Sequence, residues 1–174
     1  MLKFSILNSQ SSIKRGFTLL ETLVAIAVLS LALAGVLSLS SIGIRSSSGA
    51  SNQIKAFFLA SEGVEYVRNK RDANILAGSN WISGLNGCEG GCYVDVYAPG
   101  GIVHCSGACP KLRFDAFSNR FDYDPDSQET IFTRKIIIVP INSQEISLSS
   151  EVSWVQGGIT RGFSLEEHLF DLSF

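Results

Sequence analysis

Histidine is scarce in this 174-residue chain, which has only His104 and His168. They are far apart in sequence, so no His-Glu-x-x-His zinc motif exists. A Gly-rich phosphate loop and a Gly-x-Ser-x-Gly nucleophile turn are missing as well. The common enzyme signatures are thus absent, and the expected class is non-catalytic, with no cofactor. The formal net charge of −2 implies no general attraction to nucleic acid. Charge itself is missing from one long stretch, Thr22 to Ile44. As a helix that stretch would be about 35 Å long, more than the roughly 30 Å hydrocarbon core of a bilayer.

What is present before that stretch points to a membrane anchor of a particular kind. Lys3, Lys14 and Arg15 precede Gly16, and no acid does. A basic flank fits retention on the cytoplasmic side. A secretory signal peptide would have a shorter apolar region closing on a small-x-small site; Ala32-Leu33-Ala34 imitates such a site, but the apolar run is too long. A plain signal anchor would account for the run and the flank, yet not for Glu21, one turn into the apolar segment. A carboxylate near hydrocarbon is costly and normally has a partner.

Lys14-Arg15-Gly16-Phe17-Thr18-Leu19-Leu20-Glu21 resembles the type IV prepilin cleavage and methylation motif. The resemblance implies that a membrane prepilin peptidase cuts after Gly16 and methylates the new amine on Phe17. It places Glu21 at the fifth mature position. Cleavage would make a positive amine on Phe17, and in a filament core with little water that amine is the expected partner of a neighbouring subunit's Glu21 carboxylate, which makes Glu21 the expected assembly residue. Gly35, Gly43 and several Ser in the run would let helices approach closely in lipid.

Ser46-Ser47-Ser48-Gly49-Ala50-Ser51 is made mostly of weak helix formers and reads as a soft joint within one long helix, or a short break. Helical periodicity then returns, with Ile54, Phe57, Phe58, Ser61, Val64 and Val67 forming one apolar stripe expected to seat a globular domain. Glu65 is spaced to pair with Arg68 and Asn69. The segment Ala60-Ser61-Glu62-Gly63-Val64-Glu65, leading to Arg71-Asp72, is similar to minor pilins of the pilus-modification (PilV-like) group.

Past residue 74 the pattern changes to strands and turns. Gly78, Gly84, Gly87, Gly90 and Gly91 mark a loop-rich stretch. Tyr93 to Tyr97 alternates at period two, Ala98-Pro99-Gly100-Gly101 signals a turn, and Ile102-Val103-His104 is a candidate partner strand. Residues 130–139 and 146–155 read as strands. Gly157-Gly158 reads as a hairpin turn leading into a strand from Thr160 to Leu165. A helix followed by meandering strands predicts an α+β fold with an antiparallel sheet. The ending, from Val-Ser-Trp to Leu169, again resembles the last hairpin of these minor pilins.

Cys88, Cys92, Cys105 and Cys109 form two Cys-x-x-x-Cys pairs. Export to an oxidising compartment favours two disulfides. A four-thiolate zinc site and free thiols are the competing readings, and the expected site inventory contains no metal. If residues 93–104 form a hairpin, Cys92 faces Cys105 and Cys88 faces Cys109; pairing within each Cys-x-x-x-Cys is the rival. Asp122 to Glu129 is acidic enough to consider calcium, but it lacks the glycine of an EF-hand loop and reads first as a solvated turn. His104 is expected in a strand and His168 as a solvated residue.

These observations divide the chain into a leader at 1–16, a transmembrane or filament-core helix at 17–45, an amphipathic helix half at 46–74 and a β-rich exported domain at 75–174. The implied function is that of a minor pilin or pilin-like structural subunit. A type II secretion pseudopilin and a non-polymerising membrane-anchored adhesive or binding protein are the alternatives. The implied partners are prepilin peptidase, other pilin-like subunits, an inner-membrane assembly platform and membrane lipid. The expected topology is single-pass with the N-terminus inside, before passage into an extracellular filament.

Overall fold

A computed structural model describes residues 16–95 and 101–172. It has one helix, α1 (Leu19–Leu76), and seven strands: β1 (Cys92–Val94), β2 (Ile102–His104), β3 (Lys111–Asp115), β4 (Arg120–Asp122), β5 (Gln128–Asn142), β6 (Glu145–Gln156) and β7 (Ile159–Phe170). The expected layout, a long apolar N-terminal helix followed by an antiparallel sheet, is the observed one. The chain divides into two compact units, Met1–Ser46 and Ser47–Phe174.

In the first unit every described residue is exposed. The side chains include Leu20, Leu31, Leu37 and Leu39, each more than 70 % accessible. Such an all-round apolar surface is not sustainable in water. The helix is long and apolar enough to cross a membrane. The joint expected at residues 46–51 is not a break, because these residues are helical throughout. Each weak helix former costs less than about 1 kcal/mol, and propagation of an existing helix is cooperative.

In the second unit β5 is the spine of the sheet. One edge of it pairs with β6, and β7 follows as a meander. Its other edge meets β3 through Lys111↔Thr133 and β1 through Cys92↔Ile136. β2 and β4 close the two ends of that side. The β6–β7 turn is Gly157-Gly158, as expected; both have positive φ, 61° and 77°, matching the type I′ geometry that suits hairpin twist. The expected strand from Tyr93 stops at Val94, and residues 96–100 of the expected strand and turn lie outside the described residues. β3 and β4 went unread in the sequence because Lys-Leu-Arg-Phe-Asp and Arg-Phe-Asp are short and charged.

The helix face that meets the sheet differs from the expected stripe. The buried residues are Ala56, Leu59, Ala60, Gly63, Val64, Val67, Arg71 and Asn74. Val64 and Val67 were anticipated, and Ser61 is half-buried. Ile54 and Phe58 are 58 % and 65 % exposed, and Phe57 is also exposed, although its ring packs edge-on to Phe163. The bulk at this interface comes from the sheet, through Phe132, Trp154, Ile136 and Leu148. The helix therefore presents Ala56, Ala60 and Gly63 there beside Leu59, Val64 and Val67, and counting large apolar side chains rotates the inferred face.

Closest approach is at Gly63. A Cβ built on it would lie 2.7 Å from both Ile136 Cδ1 and Ser150 Oγ, and 3.3 Å from Arg134 Cδ. Beside it the fully buried Arg134 guanidinium donates to Glu62 Oε2 at 2.5 Å, the Leu59 carbonyl at 3.1 Å and the Val94 carbonyl at 2.6 Å. One side chain on β5 thereby ties α1 and β1 together. Asn74 closes the helix by donating to the carbonyls of Trp81 and Ser83, which directs Trp81 and Leu85 into the core.

Gly63→Val should lower the unfolding free energy by about 2–3 kcal/mol, as overpacking does. Gly35→Ala, where no atom lies within 4 Å of the added carbon, should leave it unchanged. Urea titration of the detergent-solubilised chain, followed by fluorescence of the buried Trp81 and Trp154, measures both.

Candidate functional site

The N-terminal site is built around the first turn of α1. Gly16 and Phe17 precede the helix in non-helical chain, and Phe17 is 79 % exposed. Thr18 is the N-cap, its Oγ1 accepting the Glu21 backbone N–H at 3.2 Å while its carbonyl accepts from Thr22 at 3.1 Å. Glu21 therefore occupies the third helical position of a Thr-x-x-Glu capping arrangement. A carboxylate there is favoured by the partial positive charge of the helix start. Glu21 thus stands in the first turn of the helix, four residues after Phe17 in sequence.

The cysteines lie in the second unit. Cys88 bonds to Cys92 and Cys105 to Cys109, so the nested arrangement is not the observed one. The reason is register. β1 and β2 do form a hairpin-like pair, but Cys92 is opposite His104, with Tyr93 opposite Val103. A shift of one residue moves every side chain to the other face, which carries Cys105 away from Cys92. The first disulfide is fully buried in the core beside Val94 and Ile136; the second is partly exposed. His104 does lie in a strand. His168 is not simply solvated, since its Nδ1 is 2.7 Å from Glu145 Oε1.

The acidic turn is organised by the protein's own donors. Buried Asp122 accepts the Asp124 N–H and the Ser127 hydroxyl, both at 3.2 Å, and Asp124 accepts the Asp126 N–H at 3.0 Å. The Arg113 guanidinium donates to the Pro125 and Ser127 carbonyls at 3.0 and 2.8 Å. Lys111 pairs with Glu129 at 2.8 Å and holds its carboxyl below the usual range. These carboxylates are used as turn-forming acceptors and ion-pair partners. Among the described residues the close grouping of metal-type side chains is elsewhere, at Cys88, Cys92 and His104.

Residues 11–37 match the prokaryotic N-terminal methylation motif. No curated protein and no solved structure matches the chain. The matched segment contains Gly16, Phe17, Thr18 and Glu21 and runs into the apolar first unit. It supports a type IV prepilin-like chain, of pilin or pseudopilin kind, processed by prepilin peptidase and assembled with other pilins. With the apolar helix it supports a membrane-anchored protein, and the family it points to is structural rather than enzymatic.

Sequence reasoning missed Arg134 and its partners, although Glu62 and Gly63 were noted as part of a similar segment. The available signal was the period of two in β5, which puts Arg134 on the same face as Phe132, Ile136 and Ile138, where a buried charge requires a partner. Arg68 pairs with Glu65 as anticipated and also with Glu167 on β7 at 2.6 Å.

Non-reducing chymotryptic digestion, cutting after Tyr93 or Tyr97, should release Cys88–Cys92 and Cys105–Cys109 in separate peptides. A single peptide pair held together until reduction would instead establish cross-hairpin bonding.

Proposed function

We propose that this chain is a minor-pilin-type structural subunit of a type IV filament, cut after Gly16, N-methylated on Phe17 and assembled through Glu21. The observation that carries this is the methylation-motif match lying on the start of an apolar helix whose described side chains are all exposed as far as Ser46. Such a surface needs lipid before assembly and neighbouring helices afterwards.

Cleavage after Gly16 creates an ammonium group two residues before the first residue of α1. The helix start already carries about half a positive charge, so the new cation needs an anion. In a filament core with little water, the Glu21 carboxylate of an adjacent subunit supplies it. Loss of one partner from a buried ion pair costs about 3–5 kcal/mol, enough to make the match of amine and acid a register signal. The leader and the helix to residue 45 handle insertion and core packing. The helix half at 46–74 seats the β-rich domain at 75–174, which makes lateral or tip contacts outside the inner membrane. Assignment to the pilus-modification group rests on Ala60 to Glu65, on Arg71-Asp72 and on the ending from Val152-Ser153-Trp154 to Leu169. In those segments Glu62, Gly63 and Arg71 have packing or pairing roles.

N-terminal sequencing and intact mass of the mature protein should find N-methylated Phe17. Glu21→Gln and Glu21→Val should be processed normally yet be strongly depleted from sheared extracellular fibres. Retention of Met1, or normal incorporation of both variants, overturns the proposal. Absence from fibres combined with a secretion defect would move the chain to the pseudopilin class.

A further inference from the structure

The proposed cleavage and assembly chemistry does not use His104, yet its surroundings are specific. It stands directly opposite Cys92 in the β1–β2 pair, with its Nδ1 3.5 Å from the Cys92 Sγ. Ligand atoms of Cys88, Cys92 and His104 all lie within 4.8 Å of one another. A tetrahedral zinc ion, with Zn–S about 2.3 Å and Zn–N about 2.0–2.1 Å, separates a sulfur from a nitrogen by about 3.6 Å. The imidazole is therefore already at ligand spacing from one cysteine sulfur. Its ring is seated against Gly87, where an added Cβ would lie 2.8 Å from Cε1. Cys105 and Cys109 fall outside this group because of the register that pairs them with each other.

We propose that Cys88, Cys92 and His104 form a three-ligand site for a zinc-class divalent cation when a dithiol opens the Cys88–Cys92 disulfide. The dithiol gives two electrons and two protons to the disulfide and becomes a disulfide itself. The cation then displaces the two thiol protons to solvent and binds both thiolates and the neutral His104 Nδ1. Water completes the tetrahedron on the exposed His104 side.

The backbone around the site does not depend on the disulfide alone. The Cys88 carbonyl accepts from Gly91 at 3.1 Å and from Ile138 at 3.3 Å, and the Gly91 carbonyl accepts from Cys105 at 3.1 Å. These bonds keep the ligands near each other in the reduced chain. A metal-bound thiolate is withheld from thiol–disulfide exchange, which requires a free thiolate. Oxidation of Cys88 and Cys92 thus becomes cation-sensitive, and that of Cys105 and Cys109 does not.

The test uses the full chain in detergent micelles, reduced with dithiothreitol and freed of it anaerobically. Cobalt(II) is the spectroscopic probe. Wild type should bind one Co2+ per chain, with tetrahedral d–d bands and thiolate charge transfer. His104→Ala, at an exposed position, should weaken binding about tenfold or more. A Cys105→Ser/Cys109→Ser double variant should bind as wild type does. One equivalent of zinc should slow reoxidation of Cys88 and Cys92, read by alkylation and peptide mass, without slowing Cys105 and Cys109. Absence of saturable binding, equal affinity in His104→Ala, or loss of binding in the double serine variant overturns the proposal. So does collapse of the reduced fold, read from Trp81 fluorescence, or equal protection of both cysteine pairs.

Discussion

The second unit depends on how near α1 can come to β5. That distance is set at Gly63, where the absent side chain leaves room for Ile136, Ser150 and the Arg134 stem. Interiors are close-packed, so even a methyl at such a point is felt by its neighbours. The apolar clusters on either side, one around Val67 and Ile138 and one around Ala60 and Trp154, form only if the helix lies this close. Arg134 occupies the same seam. Its charge would be costly there without Glu62 and two backbone carbonyls as partners, so its burial specifies the pairing of helix to sheet as well as filling space.

The same helix meets two different environments along its length. Over residues 22–44 it carries no charge on any side, and no described residue there is shielded by the rest of the chain. Over residues 47–76 it has a buried face centred on Ala60, Gly63 and Val64 and an outer face with Lys55, Glu65, Asn69 and Lys70. A membrane or a bundle of like helices satisfies the first pattern, and a sheet satisfies the second. Glu21 stands at the capped start of the apolar part, which keeps its carboxylate at the end of the helix.

Register has chemical consequences in the β1–β2 pair. Opposing Cys92 to His104 rather than Cys105 leaves each disulfide local and sets the His104 imidazole beside one of them. Local disulfides close short loops, and in the chain-entropy account they constrain the unfolded chain less than the nested pair would. In the acidic turn, the hydrogen-bond geometry decides the role. Asp122 and Asp124 cap their own turn, and Arg113 supplies the positive charge.

Local sequence was sufficient for the features that obey local rules. The uncharged run, the acid at Glu21, the glycine pair at 157–158 and the strand character of β5, β6 and β7 are all short-range patterns tied to solvent or turn geometry. Features that depend on what lies across the fold were not legible in the same way. The buried face of α1 is chosen by the bulk of Trp154, Phe132 and Ile136, so its small residues count for more than Ile54 or Phe58. The partner of Cys92 is chosen by a strand register that one residue would invert. Arg134 became explicable only when the Glu62 carboxylate and the Leu59 and Val94 carbonyls converged on it. Periodicity records which residues share a face, but the object that covers the face is decided by packing at long range.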